Sequence, residues 1–179
     1  MNTQKDNTIF GWKIVFKHYT ICDMLQDLWF PILVAGGIVV TSICTQQDSF
    51  EMLCKLVHVS LGILPAMLAL LLTAYVFFLT FFLGDKMQKA MQNNPDNGPQ
   101  LLSSLNASFA IGIVVPLSAV IILFITSCII DMQIEVDACM ADVINYVLLF
   151  VGILLTTLSV SFQFGVVIDL FNCGQVAQQ

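Results

Sequence analysis

The residues that could do chemistry are few and poorly placed for it. His18 and His58 are the two histidines, and the six cysteines are Cys22, Cys44, Cys54, Cys128, Cys139 and Cys173. A hydrolytic triad needs serine, histidine and an acid to converge. The two histidines flank an apolar run long enough to separate them by a membrane, so no triad has a natural candidate. Zinc favours closely spaced cysteines and histidines, but His58 is the only histidine near the cysteine-bearing loops and no Cys-x-x-Cys occurs. Asp131, Glu135, Asp137 and Asp142 form the densest set of oxygen ligands, yet their spacing matches no EF-hand loop and a solvated acidic loop is the simpler reading. There is no glycine-rich phosphate loop and no HExxH. The expectation is a chain that is not an enzyme, with no catalytic, metal or cofactor residues.

The elements around these residues are membrane spans. Hydrophobic residues make up 58% of the 179 residues and mean hydropathy is +0.91, well above soluble proteins. Residues 56–83 carry no charge and exceed the ~20 apolar residues needed to cross a bilayer. Three further spans are expected at 29–45, 101–130 and 143–168. Pro31 falls in the first turn of its span, while Pro65 and Pro116 should bend theirs. The fold class is all-α: one polytopic domain over 1–179, a four-transmembrane-helix bundle. An interfacial helix is expected over 9–28, where Lys13 and Lys17 share a narrow polar face; a plain linker is the alternative. The polar start, MNTQKDNT, lacks the basic and apolar regions of a cleavable signal peptide.

Lysine placement orients the bundle. Lys5, Lys13 and Lys17 precede the first span, and Lys86 and Lys89 lie in the polar loop 84–100, whereas Lys55 is the lone lysine of the other two loops. The positive-inside rule then puts both termini and the middle loop in the cytoplasm of a cell membrane. Cys44, Cys54, Cys128 and Cys139 fall on the outer side, where disulfides are permitted. Local pairs Cys44–Cys54 and Cys128–Cys139 are favoured, with pairing between loops open and buried free thiols as the alternative. The net charge of −6, with no arginine, argues against direct nucleic-acid binding.

No span places an ionisable side chain at mid-depth, as transporters and pumps generally do. Asn106, Asn145 and Gln163 are the buried amides. For Gln163 a hydrogen bond between helices is favoured over a pore-lining role alongside Thr157 and Ser161. Small residues recur at four-residue spacing: Gly62 and Ala66 with Ala74 further on, then Ser104, Ser108 and Gly112, then Thr157, Ser161 and Gly165. Such faces allow close helix packing, and Gly36-Gly37 invites it too. A cytoplasmic partner would meet Lys13 and Lys17 or the methionine-rich segment with Lys86, Met87, Lys89 and Met91, although Met87 and Met91 would equally serve lipid-interface or bundle packing.

Four spans with both termini inside, short acidic cysteine-bearing outer loops and a lysine-bearing, amide-rich middle loop resemble the membrane subunit of bacterial Kiwa anti-phage systems, the KwaA family. The likeness covers the whole chain in length and span layout. It implies a non-enzymatic inner-membrane sensor that oligomerises, as a tetramer, and recruits a cytosolic DNA-binding effector of the KwaB type. It carries over no individual residue. The same layout suits phage-exclusion proteins and holins, so an oligomeric pore is the competing expectation.

Overall fold

The computed structural model describes residues 21–82, 98–132 and 137–176. Four helices account for them: α1 Ile21–Cys44, α2 Ser49–Phe82, α3 Gly98–Asp131 and α4 Ala138–Val176. Each holds a stretch long and apolar enough to cross a membrane, at Asp27–Cys44, Ser49–Thr80, Asn106–Asp131 and Met140–Ile168. Large apolar side chains also cover the outside, Leu70 being 71% and Phe77 75% exposed. Water would not tolerate so continuous an apolar surface and lipid favours it. The protein is a multi-pass, all-α membrane protein.

The helices run past the expected spans, for identifiable reasons. α1 begins at Ile21, so residues 21–28 continue directly into the first span instead of ending a separate interfacial helix; residues 9–20 of that expected helix lie outside the described residues. Pro31 is consequently a buried interior position and not a first-turn residue. α2 starts at Ser49, inside the expected loop, because Asp48 caps it: its Oδ1 accepts from the N–H of Phe50 at 2.9 Å and of Glu51 at 3.3 Å. Glu51 in turn reaches Lys55 at 2.7 Å, an exposed i,i+4 pair worth a few tenths of a kcal/mol. α3 takes in Gly98 and Pro99, proline being accepted in a first turn where its missing N–H would be unpaired anyway.

The α1–α2 connection is a Schellman turn. The N–H of Gln47 donates to Ser42 O at 3.2 Å and that of Gln46 to Ile43 O at 3.2 Å. Gln46 closes it with φ 51°, a left-handed conformation that suits glycine far better than glutamine. Gln46→Gly should therefore stabilise the fold by about 0.5 kcal/mol, the relieved strain exceeding the added freedom of the unfolded chain. A raised thermal midpoint in detergent checks this.

α4 is the central element, packing extensively against each of the other three helices, while α2 and α3 also pack on one another. α1 packs chiefly on α4, burying the single stripe Pro31, Ala35 and Ser42 and exposing Trp29, Leu33 and Val40 on its far side. Two apolar cores result. At the turn end of the bundle, where α1 passes into α2, Ala35, Leu53, Val57, Leu64, Ala119, Leu123, Leu149 and Ile153 join all four helices. Toward the other end, Leu71, Phe78, Phe109 and Val166 join α2, α3 and α4. Phe109 is 1% exposed and stacks obliquely on Tyr75 and Phe78 at centroid distances of 5.1 and 5.3 Å.

Candidate functional site

Polar side chains buried in such a bundle stand out because lipid cannot satisfy them. Ser159 and Gln163, with the half-buried Thr156, follow one face of α4, while Ser42, Ser49, Ser60 and Thr126 are buried on the other three helices. Gly152, Thr156, Ser159 and Gln163 recur at spacings that keep them on one side of a helix, and all are buried or half-buried. This seam lies between the apolar contacts made by Ile153 and Val166.

The seam is anchored to α2 at two depths. At the turn end, the buried Ser49 donates to Oδ1 of Asp142 at 3.1 Å. About three turns further along α2, Ser60 and Thr156 hydroxyls meet at 3.1 Å. Thr156 spends its one proton on the carbonyl of Gly152, at 2.8 Å, so Ser60 is the donor between them. Ser159, wholly buried, donates to Leu155 O at 2.7 Å. Ser42 adds a weaker link from α1, its hydroxyl lying 3.0 Å from Met52 Sδ. Among the described residues two amide atoms remain: Asn106 Oδ1 on α3 and Gln163 Nε2 on α4 are buried without a hydrogen-bond partner.

Side chains of two helices fill the space beside Gly152. A Cβ there would meet Leu56 Cδ2 at 2.8 Å and Leu123 Cδ2 at 3.4 Å, so leucines of α2 and α3 both reach its bare backbone. In bilayers, hydrogen bonds between helices average about 0.6 kcal/mol. A double-mutant cycle on Ser60→Ala and Thr156→Val should return a coupling near that size, read from unfolding in mixed micelles.

The structure distributes the expected packing residues unevenly. Gly112 is buried, and a Cβ on it would lie 2.9 Å from Val166 Cγ2 and 3.5 Å from Leu71 Cδ2. Ser108, Thr157 and Ser161 are half-buried. Gly62, Ala66 and Gly165 are exposed, with nothing within 4 Å of a Cβ built on Gly62 or Gly165. Gly36 and Gly37 likewise have open space beside them, so the expected close packing at that pair does not occur within the chain. Ala74, expected to share a stripe with Gly62, instead packs into the second core, since twelve residues turn a helix by about 120°. Ser104, Lys13, Lys17, Lys86, Met87, Lys89 and Met91 fall outside the described side chains.

The favoured disulfides are not formed. Cys44, Cys54 and Cys128 are free thiols, so neither Cys44–Cys54 nor Cys128–Cys139 is present; the Cys139 side chain is outside the described ones. Cys44 is exposed at the end of α1 while Cys54 is half-buried on α2. The Schellman turn and early start of α2 thus leave the two thiols in different surroundings. Among the described residues, no group of three His, Cys, Asp or Glu is placed to hold a metal ion.

Ser60, Gly152, Thr156 and Ser159 are the residues that sequence reading passed over. The small-residue spacing from 152 to 163 was visible, but so was that of Thr157, Ser161 and Gly165, turned about 100° around the same helix; hydropathy does not distinguish them. No protein-family model matches the sequence, and no curated protein sequence or solved structure matches it either.

Proposed function

We propose that the chain is a non-enzymatic sensor or scaffold in a bacterial inner membrane, part of an anti-phage defence system, that self-associates in the bilayer and recruits a cytosolic DNA-binding effector. The defence assignment rests on the Kiwa-like layout of spans and loops. Self-association is supported by one observation above all: Gly62 and Ala66 lie on the outward face of α2 with open space beside Gly62, a surface on which another helix can approach closely. In mild detergent the full chain should purify as a discrete oligomer; a monomer that binds no cytosolic effector contradicts the proposal.

The pore reading needs its polar residues on a surface shared between subunits. Gln163 is 8% exposed and belongs to the interior of its own chain, which leaves that reading with the half-buried Thr157 and Ser161. Liposome flux is its direct test.

Lysine distribution supports cytoplasmic termini, with the turn end outside. The exposed free thiols Cys44 and Cys128 report on this. A membrane-impermeant maleimide should label both in intact spheroplasts of single-cysteine variants. Labelling only after lysis reverses the orientation.

A further inference from the structure

Pro116 has no N–H, so the carbonyl of Gly112, four residues earlier in α3, lacks the donor that would close its helical turn. Both residues are buried, Pro116 almost completely. Bulk water cannot serve that carbonyl, and lipid offers no donor.

α4 faces it. The 2.9 Å separation between a Gly112 Cβ and Val166 Cγ2 puts these two residues at one depth. The two helices run antiparallel, Leu123 sharing one core with Ile153 and Phe109 the other with Val166. Helical carbonyls point toward the C-terminus, so Gly112 directs its oxygen toward the turn end. Gln163 lies three residues before Val166, on the same face and about 4.5 Å closer to that end. It is 8% exposed and its Nε2 has no partner. A donor and an acceptor, each deprived of its usual partner, therefore lie at neighbouring depths on facing helices.

The geometry points to a buried site for one water molecule between α3 and α4, accepting from Gln163 Nε2–H and donating to the Gly112 carbonyl. Nε2 has no acceptor within direct reach, so the bridge must both accept and donate, and water does both. Glycine at 112 lets the Val166 and Leu71 side chains close against the backbone beside the carbonyl, within 2.9 and 3.5 Å of where a Cβ would stand, which shuts bulk solvent out. The water ties the Pro116 joint of α3 to α4, and any bending of α3 at that joint must stretch or break this bridge.

Solid-state NMR of the full chain in lipid bilayers tests the site. Labelling with ¹³C-carbonyl glycine and ¹⁵N-isoleucine selects the carbonyls of Gly37, Gly62, Gly112 and Gly152, each followed by isoleucine, and Gly152 serves as an internal control. The Gly112 carbonyl should receive magnetisation from water and should lose it, shifting upfield, in Gln163→Leu while Gly152 stays unchanged. In Pro116→Ala the restored N–H occupies the carbonyl, and Gln163→Leu should then leave its resonance unmoved. A Gly112 carbonyl that receives nothing from water, or that does not respond to Gln163→Leu in the Pro116 protein, overturns the proposal. That second comparison stands even if Pro116→Ala fails to fold.

Discussion

Truncating Phe109 to alanine should destabilise the bundle by about 3 kcal/mol, the low end of what large aromatic truncations cost in cores. The low end applies because lipid is as apolar as the core, so little transfer free energy is lost. What disappears is dispersion contact with Tyr75 and Phe78, and α1 contributes nothing to this cluster that could close the cavity. Phe124, 61% exposed, is the control: Phe124→Ala should change stability by less than about 0.5 kcal/mol. Unfolding in mixed micelles distinguishes them, and equal losses would mean that the second core does not form as described.

The second large effect separates two glycines that look alike in sequence. Gly112→Ala should cost about 1–2 kcal/mol, whereas Gly152→Ala should be near neutral. Both replacements gain about 1 kcal/mol of helix propensity, and both create a contact shorter than 3 Å. The difference lies in what is struck. At Gly152 it is the tip of Leu56, which can rotate away; at Gly112 it is a methyl of Val166, a β-branched side chain held to one rotamer in a helix. Unfolding midpoints that rank the two glycines in the opposite order would contradict this account of the crossings.

The four spans were legible because hydropathy alone marks them: uncharged apolar runs at bilayer length leave little choice of element. Their ends were less so. Asp48 three residues before Glu51 is a helix-start signal, but it sat in a polar stretch that read as loop, and the Schellman turn at Gln46 hid behind a residue other than glycine. Which face of each helix turns inward was the least legible feature. Four-residue spacing picked out Gly62 with Ala66 and also Gly112, yet the first pair faces outward and Gly112 faces α4. In lipid, inward and outward faces are equally apolar, so amphipathicity carries no signal. Gln163 was recognisable as the deepest amide, but its relation to the carbonyl freed by Pro116 required the register of α3 on α4.

We propose above all that this bundle associates with copies of itself through the outward face of α2. Native mass spectrometry of the full chain from lipid nanodiscs tests it most directly, comparing the native sequence with Gly62→Ile. The expected result is a discrete oligomer for the native chain and a monomer for Gly62→Ile, with the unfolding midpoint of the separated monomers not lowered, because nothing lies within 4 Å of a Cβ at that glycine and isoleucine has the better helix propensity. A native chain that is monomeric in lipid, or an oligomer indifferent to isoleucine at position 62, would contradict it.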